Sequence, residues 1–341
     1  MDVLRRVLVQ NYTRVIGEDG REVIKRREKE PEGDGLPPGH ARIASPYDLD
    51  ARWGVKRDTF FWLGYKLHVT ETCDDEPRCG CPAAGDGGTG WRGHDEDCAA
   101  PAFPNLITHV ATTEATVPDS QMTAVICGDL AAKSLAPGRS YLDSGYLSAA
   151  LVVTALATWG IALIGPLLAD TSAQARAGKG YARADFTIDY DNRTVTCPQG
   201  KTSASWTPCT QHGKDTIVAT FSAADCGPCP ARALCTTGTR RQLSLLPRDL
   251  AQAQAAARAA EKTVPFQADY ARRAGVEGTM HQATSHGARR ARYRGLPKTR
   301  LDHVYMACAL NLLRLHAYWT GTPLDRRRTS HLARLELGLA A

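Results

Sequence analysis

The C-terminal third of this 341-residue chain has very few acids. Residues 270–334 hold 13 Lys and Arg but only three carboxylates (Glu277, Asp302 and Asp325), a local excess of +10 in a chain whose formal net charge is +6. So strong a local excess points to a polyanionic partner, although a basic run is also the ordinary composition of a solvated helix face. A secretory signal is absent as well: Met1-Asp-Val-Leu-Arg-Arg-Val-Leu-Val9 carries an early acid and has no apolar core ending in small residues. One uncharged stretch, Ala149 to Ala169, has 21 residues and could span a bilayer, but Gly160 and Pro166 break it. Its pieces read as a buried helix (Ser148–Trp159) and a buried strand (Ile161–Gly165). The expectation is a cytoplasmic protein. Helix-turn-helix and zinc-finger spacings are missing too, which argues against a sequence-specific zinc-dependent regulator.

What is present can build a core. Hydrophobic residues make up 43% and charged residues 23% of the chain, an ordinary globular balance. At roughly 150 residues per domain, the length suggests about two domains, or one with large insertions.

Eleven cysteines without an export signal point to metal or catalytic use rather than to a disulfide framework. Cys226-Gly-Pro-Cys229 is a C-x-x-C knuckle, Cys235 follows six residues later, and Cys197-Pro-Gln-Gly200 lies upstream with the turn chemistry of a ligand loop. Four thiolates can close a tetrahedral structural Zn²⁺ site, with Cys209 as a substitute ligand; reduced, partly buried thiols are the alternative. A second group, Cys73, Cys79, Cys81, His94 and Cys98, lies in a Gly- and Asp-rich loop with irregular spacing. Residues 71–100 carry eight acids against two Arg there, which argues against contact with a polyanion but leaves metal binding open.

Two acids stand out. Asp143 ends the short apolar stretch Ser140-Tyr-Leu-Asp-Ser-Gly-Tyr146, and Glu277 lies 134 residues further on, flanked by Arg272 and Arg273. A strand-end Asp followed by Gly, and a helical Glu among Arg residues, suit carboxylates that hold divalent metal against a phosphodiester. Each has a simpler reading: Asp143 as a turn former, Glu277 as an exposed residue pairing with Arg273 four positions back. The basic run after Glu277 supplies Arg289, Arg290, Arg292, Arg294, Lys298 and Arg300 as candidate phosphate contacts.

Read for organisation, residues 1–45 are charged, poor in apolar periodicity and expected as a linker or as the remnant of an upstream region. Residues 46–179 hold strands Phe61–Val69 and Leu106–Ala111, a helix from about Ser120 to Leu135, and the strand that carries Asp143, with the Cys/Gly/Asp loop at 73–104 as an insertion. Residues 180–246 form a small β-rich cysteine-containing insertion with strands Phe186–Tyr190, Thr194–Cys197 and Ile217–Phe221. Residues 247–341 are helical, with an Ala-rich run to Lys262, the Glu277 helix and a last helix from about Lys298 to Trp319. In that last helix Leu301, Val304, Cys308, Leu312 and Leu315 fall on one face and read as core. The order of elements suits an α/β domain of the ribonuclease-H type. Asp48 and Asp50 read as turn residues, and Asp119 reads as a helix cap.

In order and spacing, several segments together resemble bacterial insertion-sequence transposases of the DDE class, in the group with a cysteine-containing insertion between the second Asp and the Glu. They are Ser45-Pro-Tyr-Asp-Leu-Asp-Ala-Arg52, Gly64-Tyr-Lys-Leu-His68, Tyr141-Leu-Asp-Ser-Gly-Tyr146, Cys197-Pro-Gln-Gly200, Asp225-Cys-Gly-Pro-Cys-Pro230, Arg273-Ala-Gly-Val-Glu-Gly-Thr279 and Arg289-Arg-Ala-Arg-Tyr-Arg-Gly-Leu296. The resemblance implies a ribonuclease-H-like DDE domain that moves DNA by two in-line phosphoryl transfers supported by Mg²⁺ or Mn²⁺. It implies Asp143 as the second acid and Glu277 as the third, with Arg272, Arg273 and Arg289 to Arg294 on donor or target phosphates and Tyr293 stacked on a base. It also implies a homodimer acting on paired ends. The family's first Asp, in an Asp-Ser-Thr or Asp-Gly-Thr strand, has no match before Phe61–Val69, so the domain is expected to be N-terminally incomplete. A catalytically inactive DNA-binding remnant is the alternative function.

Overall fold

A computed structural model describes residues 2–28, 35–56, 59–73 and 104–321. The chain is a mixed α/β protein with several small sheets. It divides into two compact units: Met1–Val117 together with Arg272–Ala341, and Pro118–Ala271.

In the first unit the charged N-terminal residues form a helix, α1 (Asp2–Asn11), and an antiparallel hairpin of β1 (Tyr12–Ile16) and β2 (Glu22–Arg26). Next, β3 (Arg52–Lys56) pairs antiparallel with the first part of β4 (Phe60–Glu71), and β5 (Ile107–Glu114) pairs antiparallel with the second part. The buried positions of β4 are Gly64 and His68, an even spacing that puts both on one face of the sheet.

The second unit opens with α2 (Asp119–Ala132), β6 (Arg139–Tyr141), α3 (Ala149–Trp159) and β7 (Ala162–Ile164). Strands β6 and β7 are parallel, and α3 supplies the crossover that such a pair needs. This helix starts where Ser148 accepts a hydrogen bond from the Leu151 amide at 3.2 Å, and it stops at Gly160, which is left-handed at φ 67°. The uncharged stretch is therefore two elements, as its Gly and Pro foretell. Its helix and strand bury Ala155, Ile161 and Leu163 with Cys127 and Leu147. Gly165 is needed where β7 crosses the Asp143 loop, because a Cβ there would lie 2.2 Å from the Leu142 carbonyl oxygen.

After α4 (Ala173–Ala177) come the hairpin of β8 (Thr187–Asp189) and β9 (Thr194–Thr196), then β10 (Ser205–Gln211) and β11 (Lys214–Thr220). Two single-turn helices follow, α5 (Ala223–Cys226) and α6 (Arg232–Cys235), and then β12 (Gln242–Leu245), which completes a three-stranded antiparallel sheet. Phe186, Val195, Ala219, Phe221, Leu243 and Leu245 form the core of this module. Helices α7 (Arg248–Ala260) and α8 (Val264–Tyr270) close the unit.

The chain re-enters the first unit as α9 (Ala274–Ala283), a single π-type turn at Thr284–Ala288, and α10 (Leu296–Thr320). Among the described residues no helix is long and apolar enough to cross a membrane. The buried face of α10 differs from the expected one. Thr299, His303, Ala307, Leu310 and Arg314 are buried, whereas Leu301 is 51% exposed, Leu312 66% exposed and Cys308 exposed. Apolar periodicity misleads here because the inward polar groups are satisfied. His303 Nδ1 is 2.8 Å from the Thr112 hydroxyl, and small Ala307 and Ala283 let α10 and α9 approach β5 around Ile107 and Leu310.

Arg314 makes the strongest of these inward contacts. It meets Glu71 of β4 at 3.0 Å, with the two side chains 8% and 5% exposed. It also donates to the Asn105 carbonyl at 2.7 Å, to Gln282 at 3.1 Å and to the Thr279 hydroxyl, which in turn donates to Glu71. One buried ion pair thus ties β4, α9 and α10. Removing one partner would leave a charge buried without compensation, so Arg314→Ala should cost about 3–5 kcal/mol of stability by urea unfolding. Glu71→Leu with Arg314→Met should recover most of that loss.

Burial pushes the His303 imidazole below its ordinary value of 6.5, although Asp302 pulls the other way. The fold favours the neutral ring, so its contribution is present above that value and is lost as pH falls below it. His303→Gln should flatten the decline of melting temperature on acidification from neutral pH; an unchanged slope would refute this source.

Candidate functional site

Asp143 stands just beyond the end of β6. The Leu142 amide extends the strand by donating to Ile164 O at 2.9 Å, and the exposed Asp143 then N-caps a 3₁₀ turn, Ser144–Tyr146, by accepting from the Ser144 amide at 2.8 Å. The turn-former reading of Asp143 is therefore part of its structure. The start of this loop is clamped by α8: the Tyr141 hydroxyl donates to Asp269 at 2.7 Å, Arg139 meets the same carboxylate at 3.3 Å, and the Tyr270 hydroxyl donates to Leu142 O at 3.2 Å. Its far end is held by the Thr123 hydroxyl of α2, which donates to Tyr146 O at 2.6 Å.

The sequence reading did not foresee Asp119 beside this loop. The N-cap of α2 is Pro118, and Asp119 is the acid of that helix's first turn. Asp119 also faces Gly145: a Cβ on that glycine would lie 3.4 Å from Asp119 Oδ2. Burial, followed by the charges of Asp119 and Asp143, pushes the Tyr146 phenol far above its ordinary range. Two carboxylates of the second unit therefore act on one phenol, which a helix-start Asp 24 residues upstream does not advertise.

Glu277 lies in the first turn of α9 with its side chain 71% exposed, 3.4 Å from Arg273. An exposed pair at this spacing contributes about 0.3–0.5 kcal/mol, so it does not anchor the helix. Thr279 and Ala283, buried on α9, do that. The residue is thus presented to solvent by a helix fixed through other positions.

The basic run begins after the π-type turn, where Gly287 takes φ 102°, and it continues past Gly295, φ 89°, into the first turn of α10. Arg289, Arg290, Arg292, Arg294, Lys298 and Arg300 are exposed, as are Arg272 and Tyr293. Arg292 donates to the His286 carbonyl at 3.4 Å, and Arg294 lies 5.3 Å from the ring centroid of Tyr47. Asp50 accepts from the first amide of α10, that of Leu296, at 2.8 Å. Asp48 accepts from the Tyr65 hydroxyl at 2.7 Å and from the Asp50 and Ala51 amides. Burial raises the Asp48 carboxyl, but these donors and the Gly295 amide outweigh it and hold it below the ordinary value. Both acids of the Ser45–Arg52 segment therefore fix the start of α10 next to the basic run.

Cys197, Cys226, Cys229 and Cys235 line one cavity of the cysteine module, while Cys209 lies on β10 away from it. Cys79, Cys81, His94 and Cys98 fall outside the described residues. Among the described residues no group of three or more His, Cys, Asp or Glu is already arranged to hold a metal ion. Asp143 and Glu277 suit a hard divalent cation as exposed oxygen donors. They belong to different units, and each is described within its own.

Residues 196–316 match the family model described as the transposase DDE domain. No curated protein and no solved structure matches the chain. The matched span contains the four clustered cysteines, Glu277 and the basic run, and Asp143 precedes it. The match supports a DDE transposase, a class whose substrate is DNA and whose domains use divalent metal ions. Within the second unit, Asp269→Ala should cost about 1–3 kcal/mol by removing the acceptor of Tyr141 and Arg139. Hydrogen exchange should show faster amide exchange at Leu142–Tyr146; unchanged protection there would mean that α8 does not clamp the loop.

Proposed function

We propose that this chain is the DNA-acting part of an insertion-sequence transposase, built on a ribonuclease-H-like α/β domain. The observation that carries this reading is the transposase DDE match over residues 196–316, which contains Glu277 followed at once by the exposed basic run. Asp143 and Glu277 serve as the second and third acids of the triad. Mg²⁺ or Mn²⁺ bound by these carboxylates would neutralise the charge that develops on a transferring phosphodiester.

The remaining work falls to the chain's own groups. Arg289, Arg290, Arg292 and Arg294, with Lys298, Arg300 and Arg272, hold donor or target phosphates, and exposed Tyr293 offers a face on which a base stacks. Arg273 pairs with Glu277 and keeps a cation beside that carboxylate in the absence of DNA. The first acid is not assigned. Asp48 and Asp50 are engaged at the start of α10, whereas Asp119 shares the surroundings of Tyr146 with Asp143. With the first acid unassigned, a second reading is a DNA-binding form that does not cut. Transposases of this kind act as homodimers on paired ends, and we carry that assembly over as part of the proposal.

Binding and cleavage separate the readings. The purified chain should bind duplex DNA with an affinity that falls steeply with salt. Replacing Arg289, Arg290, Arg292 and Arg294 by Ala should lower the log–log salt slope by about 0.9 for each phosphate that is no longer neutralised. An unchanged slope would remove the basic run from the interface. Cleavage of transposon ends with Mg²⁺ or Mn²⁺ should be weak or absent in this chain alone. Robust cleavage that is lost in both Asp143→Ala and Asp119→Ala would assign Asp119 as the first acid and reject the non-cutting form.

A further inference from the structure

The sequence marks four cysteines by spacing, and the structure adds the environment that spacing cannot show. Cys197 sits in the hairpin that leaves β9. Its amide donates to Lys201 O at 2.8 Å, Gly200 turns the chain at φ 77° and donates to Cys197 O at 2.8 Å, and the Lys201 amide donates to Cys197 Sγ at 3.3 Å. Cys226 ends α5, the Cys229 amide donates to Cys226 O at 3.4 Å across the intervening Gly-Pro, and Cys235 ends α6. Cys197, Cys226 and Cys235 also pack against the module's core of Phe186, Val195 and Phe221.

The charges around this cavity point the same way. Lys201, Arg232 and Arg241 line it with the thiols, against a single acid, Asp225, which pairs with Lys201 at 3.4 Å. Arg241 donates from Nη1 to the Cys235 carbonyl at 2.8 Å and from Nη2 to the Tyr181 carbonyl at 3.3 Å. Its Nε–H is buried without a hydrogen-bond partner among the described residues. A buried donor left unmet is destabilising, and cations gathered around neutral thiols gain nothing. Around a tetrathiolate metal centre both features have a purpose.

We propose that Cys197, Cys226, Cys229 and Cys235 bind one structural Zn²⁺, with the resulting charge balanced by Arg241, Arg232 and Lys201. Four thiols release four protons to solvent as the dication binds, leaving a centre of net charge −2. Among the described residues the four thiols line one cavity without forming a closed set. Thiolates on Zn²⁺ at about 2.3 Å would stand about 3.8 Å apart in a tetrahedron, with no open position for substrate. The site would hold the hairpin, α5 and α6 together as a folding unit. The proposal does not depend on the transposase reading.

The test is metal analysis of the full chain, purified from a reducing cytosol without chelators. One zinc per chain is expected, retained on dialysis and in Cys209→Ser, and lost in Cys197→Ser and Cys229→Ser. Because a Ser variant can misfold, Co²⁺ substitution of the unaltered chain supplies a second readout: thiolate-to-cobalt charge-transfer bands and the visible absorption of a tetrahedral four-sulfur centre. Absence of zinc, a Cys226–Cys229 disulfide in the purified chain, a Co²⁺ spectrum without thiolate bands, or full zinc content in both Ser variants would overturn the proposal.

Discussion

The placement of Glu277 depends on a charge pair buried behind it. Arg314 and Glu71 lie at the junction of β4, α9 and α10, and the Thr279 hydroxyl links them two positions along α9 from Glu277. A buried ion pair is weak evidence of net stability, because desolvation offsets its attraction, but its directional bonds allow few alternative packings. α9 is therefore fixed through its buried side while Glu277 stays exposed. Asp50, capping α10, fixes the basic run where it enters that helix in the same unit. A phosphate-binding surface gains from such restraint, since mobile arginines would lose side-chain entropy on every contact.

The second unit treats Asp143 similarly. Its loop is tied to α8 through Asp269 and Tyr270 and to α2 through Thr123, and Gly165 allows β7 to pass within contact of the loop's backbone. The cysteine module of the same unit has its own apolar core and its own thiol-lined cavity.

Much of this was legible in the sequence where local chemistry decides structure. Ser148 and Gly160 bracket α3 as cap and left-handed stop, and the alternating run of β4 sits where period-two patterning places it. The inward face of α10 was not legible, because His303 and Arg314 are buried only by virtue of Thr112 and Glu71, about 190 and 240 residues away in sequence. Pairing across such separations leaves no trace in periodicity. Asp119 was hidden for a related reason: an Asp in a first helical turn reads as a cap, and only the tertiary approach of Gly145 shows what it faces. The strands β10 and β12 also escaped: β10 is largely polar, exposed and interrupted by Pro208, and β12 has only four residues.

The central claim is that Asp143 and Glu277 are metal carboxylates, and Mn²⁺ binding followed by electron paramagnetic resonance tests it most directly. The full chain and its Asp143→Ala and Glu277→Ala variants would be titrated at matched helicity. Each variant should bind Mn²⁺ more weakly by at least the factor of about 10–100 that even an outer-shell partner contributes. Equal Mn²⁺ affinity in all three proteins would contradict the claim and leave the two acids as a turn former and the exposed partner of Arg273.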